Sequence, residues 1–138
     1  MSIRGCPTSG FDAMTYQLSI EQKPAYLHAT VTGENTKENI LGYIAELLEV
    51  CRARGCFRVL IEERLDGPRL DICDVFEIAS EGSGRASGTM KAIAYVDVHA
   101  VGDMMKFAEN VAVNRGLPLA IFPTVAEAEK WLNKPAGP

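Results

Sequence analysis

Apolar and polar residues alternate at two places near the start of the chain. Tyr16, Leu18 and Ile20 are separated by Gln17 and Ser19, and beyond Gln22-Lys23-Pro24 the residues Leu27, Ala29 and Val31 are separated by His28 and Thr30. Period-two alternation on both sides of a short break predicts an antiparallel hairpin. The period then lengthens. Ile40, Ile44, Leu47, Leu48 and Cys51 fall on one helical face, with Glu46, Glu49, Arg52 and Arg54 mostly off it. Asn35 with Glu38 three residues on has the form of a capping box, and Gly55 suits a left-handed helix stop. The apolar run Phe57 to Ile61 predicts a central strand covered on both faces.

Further along, the spacing of Leu70, Cys73, Val75, Phe76, Ile78 and Ala79 predicts a second helix, which gives way to a flexible loop over Glu81-Gly82-Ser83-Gly84-Arg85-Ala86-Ser87-Gly88. A strand is expected from Ala92 to Val98. A third helix should then turn Val101, Met105, Ala108 and Ala112 inward and end before Gly116. Leu119 to Phe122 reads as the last strand. Thr124 and Glu127 form a second capping box, opening a terminal helix with Val125, Ala128, Trp131 and Leu132 on one face. The order β-β-α-β-α-β-α-β-α predicts a single-domain α/β fold with a mixed, mostly parallel five-stranded sheet and four helices. The domain is expected over residues 15–133, with loose tails at 1–14 and 134–138.

Composition narrows what such a domain does. The chain has 138 residues, 47% hydrophobic and 23% charged, with 14 Lys plus Arg against 18 Asp plus Glu for a net charge of -4. That balance disfavours nucleic acid and anionic membrane surfaces, which both select basic stripes. No apolar stretch approaches the ~20 residues of a membrane span, and the first residues lack the apolar core of a signal peptide, so a cytoplasmic protein is expected. Cys6, Cys51, Cys56 and Cys73 should then be free thiols. Cys51, Cys56, His28 and His99 lack the paired spacing of a zinc site, and neither a metal nor a cofactor is expected.

The element order and several segments resemble the STAS superfamily (sulfate transporter and anti-sigma factor antagonist), particularly its SpoIIAA-like branch of small bacterial proteins. The resemblance runs from about Tyr16 to Leu132. It rests on Tyr26-Leu27-His28-Ala29-Thr30-Val31-Thr32-Gly33 leading into the first helix, on the strand Phe57 to Glu62, and on Lys91 to Leu132. It implies a non-enzymatic module that binds proteins or a small apolar ligand, and that associates with itself as a homodimer. Phosphoswitch members resemble one another in an Asp-x-Ser-Gly type loop after the central strand. Here Ile61 to Leu70 contains no Ser or Thr, so no hydroxyl is present to carry a phosphate and no phosphosite is carried over.

Open α/β sheets bind ligands beyond the carboxyl ends of their parallel strands. That rule collects Glu62, Glu63, Arg64 and Asp66 after the central strand, Asp97 and His99 after the next, and Phe122 with Pro123 after the last. An acid beside an imidazole suits proton transfer, yet no motif places a nucleophile, a metal set or a second acid there, so an ordinary polar rim is the simpler account. His28 is expected as a half-exposed strand residue. The Gly82 to Gly88 loop follows a helix and enters a strand, the reverse of a phosphate-binding loop, which favours a linker over an anion site. Met104, Met105, Phe107 and Val111 extend the apolar surface of the third helix beyond one stripe, which suits a partner helix or a lipid-sized pocket. The candidate binding residues are thus Met104, Met105, Phe107, Val111, Glu62, Asp66, Asp97 and His99, with no catalytic residue assigned.

Overall fold

The computed structural model describes residues 2–4, 16–68, 70–86, 88–97 and 103–133. Among the described residues six strands form one sheet in sequential order: β1 (Ser2–Arg4), β2 (Tyr16–Gln22), β3 (Leu27–Glu34), β4 (Arg58–Asp66), β5 (Ala92–Asp97) and β6 (Leu119–Phe122). β1, β2 and β3 are joined antiparallel, and β3 through β6 run parallel. The five expected strands are therefore present, in the expected mixed arrangement. A sixth, β1, pairs with β2 inside the stretch expected as a tail.

Four helices join them: α1 (Lys37–Arg54), α2 (Ile72–Ala86), α3 (Asp103–Asn114) and α4 (Val125–Leu132). Three successive parallel crossovers of one hand, each advancing one strand in the same direction, must carry their helices over the same face. Thus α1, α2 and α3 share one side of the sheet, and α4 returns across the other to pack on β4, β5 and β6. Two cores follow. The larger lies between the sheet and α1 to α3, around Leu18, Ile20, Ala29, Val31, Val59, Tyr43 and Cys51. The smaller lies under α4, where Ala128 and Leu132 meet Leu60, Ala94 and Val96. β4 is covered on both faces, since Val59, Leu60, Ile61, Glu62 and Glu63 are all buried, and so is β5, with Ala92, Ile93 and Ala94 buried in succession.

Two local expectations change. The N-cap of α1 is Thr36, whose hydroxyl accepts from the Asn39 amide at 3.1 Å. Asn35 instead ties the start of α1 to the exit of β4. Its amide donates to the Asp66 carbonyl at 2.7 Å and its side chain donates to the Pro68 carbonyl at 2.8 Å. The stretch expected as a flexible loop from Glu81 is helical through Ala86, with Gly82, Ser83 and Ala86 buried. Tertiary packing overrides the weak helix propensity of Gly and Ser here: Gly82 and Ser83 are buried, and Gly82 faces Ile44 of α1, where a Cβ would make an ordinary contact of 3.9 Å. Elsewhere the stop and start signals act as expected. Gly55 closes α1 at a left-handed φ of 64°, and the Thr124 hydroxyl caps α4 by accepting from the Glu127 amide at 3.2 Å.

Candidate functional site

The α2 helix bridges α1 and α3 but approaches no strand within 8 Å, Cα to Cα. Val75, Ile78, Ala79, Gly82, Ser83 and Ala86 are the α2 residues that face the space between this helix and the sheet. Beneath it a cavity of about 320 Å³ remains, at the lower end of the ~300–1,000 Å³ of small-molecule sites. Ile44 and Leu47 of α1, Val59 and Ile61 of β4, Ile93 of β5 and Met105 of α3 give it largely hydrocarbon walls. Cys51 also lines it, and burial pushes that thiol up to about 11, far from the thiolate range at neutral pH.

Polar groups gather where the parallel strands end. Glu63 of β4 and Asp97 of β5 are register partners, so their side chains stand next to each other on the cavity face. Both are about 3% exposed. Period two explains the placement, because Glu63 continues the inward series Val59 and Ile61, and Asp97 continues Ile93 and Tyr95. Tyr43, fully buried on α1, donates its hydroxyl to Glu63 Oε2. Burial, then the charge of Glu63 and the hydrogen bond to it, hold the Tyr43 phenol well above its ordinary value. Tyr95 is raised the same way, by burial first and then by Glu63. Both phenols thus keep their protons throughout the physiological range. Tyr95 retains some accessible surface although protein surrounds it, as expected for a ring on a cavity wall.

A second polar cluster lies across the sheet. His28 Nε2 sits 2.9 Å from Glu62 Oε1, and Arg64 pairs with Glu62 Oε2. Burial alone would raise the Glu62 pKa, but the hydrogen bonds and positive charge of His28 and Arg64 outweigh it and bring it below the usual carboxylate value. Nearby, the Tyr26 hydroxyl donates to Glu129 Oε2 at 2.8 Å. Burial first, and then that carboxylate, push the Tyr26 phenol up to about 12.

The six candidate residues whose side chains are described do not converge on one site. Met105 and Asp97 line the cavity. Glu62 belongs to the opposite face, because adjacent residues of a strand point to opposite sides, and Asp66 is exposed at the end of β4. Phe107 is half-buried against Phe76, ring centroids 6.4 Å apart, and Val111 is half-buried. His99 and the side chain of Met104 lie outside the described residues. Of the residues at the polar end, Glu63 is among those the strand-end rule collects, though not among the eight candidate binding residues, and Tyr43 and Tyr95 are in neither set. The signal for Glu63 was its acidic side chain at an inward position of an alternating strand, and for Tyr43 its place on the apolar stripe of α1. Among the described residues, no group of three or more His, Cys, Asp or Glu could hold a metal ion, and no helix is long and apolar enough to cross a membrane.

A mixed sheet in this order, with three helices on one face and one on the other, is an architecture shared with known structures. The chain has the SpoIIAA-like fold. It is similar to a solved structure of an uncharacterized protein of the DUF3478 family, with a SpoIIAA-like fold, from Shewanella loihica PV-4. The two share 23% identity over 88% of this chain and 96% of that one, with a TM-score of 0.51. No protein-family model and no curated protein matches the sequence.

Proposed function

We propose that this protein is a non-enzymatic binding module that carries or senses a small apolar ligand held between the sheet and α1, α2 and α3. The cavity of about 320 Å³ carries this reading. Protein interiors are packed as densely as organic crystals, and a void of this size lined by Ile, Leu, Val and Met forfeits dispersion contacts that a ligand would restore. The cover suits entry, because α2 is held by its two neighbouring helices and stands away from the sheet. Titration of the protein with N-phenyl-1-naphthylamine tests the reading. Saturable fluorescence enhancement at one site per chain, with a rise in thermal midpoint, is the expected result. No enhancement and no rise would overturn it.

A second reading, a protein-binding and self-associating module, draws on a different observation. Ile72 and Phe76 on the outer side of α2 are 54% and 43% exposed, and Val113 on α3 is 50% exposed. Exposed large apolar side chains are a common mark of an association surface. Sedimentation equilibrium of the wild type and of Phe76→Glu separates the readings. A dimer that the substitution dissociates supports association through α2, and a monomer in both cases counts against it.

A further inference from the structure

The end of α1 brings two thiols together. Gly55 takes the left-handed conformation, and the chain turns back so that the Cys56 amide donates to the Cys51 carbonyl at 3.1 Å and the Gly55 amide to the Arg52 carbonyl at 3.3 Å. This pair of bonds is the Schellman arrangement, whose two end residues commonly touch through their side chains. With the Cys56 amide 3.1 Å from the Cys51 carbonyl, standard bond lengths hold the two Cα atoms within about 7 Å of each other. The bend of the turn shortens that separation into the range of about 4.4–6.8 Å that a disulfide spans. Both side chains enter the same core: Cys51 belongs to the larger cluster, and Cys56 packs against it. After burial, the neighbouring Cys56 is the next cause of the rise of the Cys51 thiol, as expected of two sulfurs close together.

Their surroundings set an order of reaction. Cys51 is fully buried, and its thiol is pushed up to about 11. Cys56 is only half-buried, and its thiol donates weakly to the Arg58 carbonyl at 3.7 Å. A reagent therefore meets Cys56 first, whereas Cys51 is open only to a sulfur already beside it. We propose that Cys51 and Cys56 form a reversible dithiol–disulfide pair, in which Cys56 is oxidised by a low-molecular-weight disulfide of the glutathione class and Cys51 resolves the product. The Cys56 thiolate attacks one sulfur of the small disulfide, whose S–S bond breaks as the mixed disulfide forms and a thiolate leaves with the electron pair. Cys51 then gives up its proton and attacks the Cys56 sulfur, closing the protein disulfide and releasing the second small thiolate. The two cysteines lose two protons and two electrons, and the small disulfide gains both as two thiols. The bond encloses only Arg52 to Gly55 within a turn that already exists, so it adds little chain constraint and stays reducible. Cys51 also lines the cavity, and oxidation would redraw that part of its wall. The thiol chemistry itself is independent of what the cavity holds.

Peptide mapping of the full chain after incubation with oxidised glutathione at neutral pH, without denaturant, tests the pair. Tryptic cleavage after Arg52 and Arg54 puts Cys51 and Cys56 on separate peptides, so their bond shows as a linked pair lighter by two hydrogens than the reduced peptides together. The expected result is that linked pair, reversed by dithiothreitol, with little glutathione left on Cys56. In Cys51→Ser the glutathione should stay on Cys56, because the resolving sulfur is gone. A wild-type chain that keeps glutathione on Cys56 while Cys51 stays reduced would overturn the proposal, as would an unmodified Cys56. A linked pair that forms only in urea, or a bond from Cys56 to Cys6 or Cys73 in its place, would overturn it as well.

Discussion

Replacing Tyr43 by Phe removes one oxygen from the interior and changes almost nothing else. The ring is fully buried on α1, and its hydroxyl donates to a Glu63 carboxylate that is itself about 3% exposed. Phe fills the same volume within one atom, so the cavity contribution of an ordinary large-to-small substitution is nearly absent. What remains is a hydrogen bond to a carboxylate that water barely reaches. Bonds of that kind contribute about 1.5–3 kcal/mol, chiefly because the acceptor left behind has lost solvation that it cannot recover. For a chain of 138 residues a loss of about 2 kcal/mol lowers the thermal midpoint by roughly 4–8 °C. Urea denaturation followed by far-ultraviolet circular dichroism supplies the test. The midpoint should fall with little change in slope, as expected when stability changes and the denatured state does not. A double-mutant cycle with Glu63→Leu sharpens it: once Glu63 is gone, Tyr43→Phe should cost well under half of its cost in the wild type. Additive costs, or a single-mutant cost below about 0.5 kcal/mol, would refute the claim that this contact organises the polar end.

Other consequences concern charge, thiol reactivity and the last helix. Because the folded pKa of Glu62 is lowered, the unfolded chain binds more protons as pH falls below about 4.5. The stability from this group is thus complete above that value and is lost as pH falls through the folded pKa; urea midpoints between pH 3 and 6 should show a shallower acid loss in Glu62→Gln than in the wild type, and parallel profiles would contradict the role of His28 and Arg64. Exposed Cys73 should react with iodoacetamide in the native protein at pH 7, whereas Cys51, buried and with its thiol pushed up to about 11, should stay unmodified until the chain unfolds. Peptide mapping by mass spectrometry distinguishes the sites, and early labelling of Cys51 would contradict the burial. Thr124→Ala removes the cap of α4 and should destabilise the fold by about 1 kcal/mol in urea, while a neutral result would mean that α4 is held by Ala128 and Leu132 alone.

Much of the architecture was legible because it is periodic. The switch from the alternation of Leu27, Ala29 and Val31 to the helical spacing of Ile40, Ile44 and Leu47 marked the first strand-to-helix transition, and Thr124 with Glu127 marked the start of α4. Misread segments were those in which local preference yields to packing. Gly82 and Ser83 favour a loop on propensity, yet they are helical and buried in α2, with Gly82 facing Ile44 of α1. Asn35 has capping chemistry but is used to fasten the β4 exit, leaving Thr36 as the cap. The site was less legible for a different reason. Asp97 and Met105 were reachable from strand ends and helix faces, but the sequence does not show that α2 stands clear of the sheet, and a cavity is a property of that separation. Without it, Glu63 and Tyr43 look like one more loop acid and one more core aromatic.

The central claim is that the space beneath α2 is a ligand site, and filling it tests the claim most directly. Ala108 on α3 lines the cavity and is half-buried, so Ala108→Phe places a ring where a ligand would lie. The substitution should keep or raise the thermal midpoint, since new apolar contacts occupy existing space without displacing side chains. It should also abolish saturable binding of N-phenyl-1-naphthylamine that the wild type shows. A variant that loses several degrees of stability, as overpacking would produce, or one that binds the dye as the wild type does, would contradict the account.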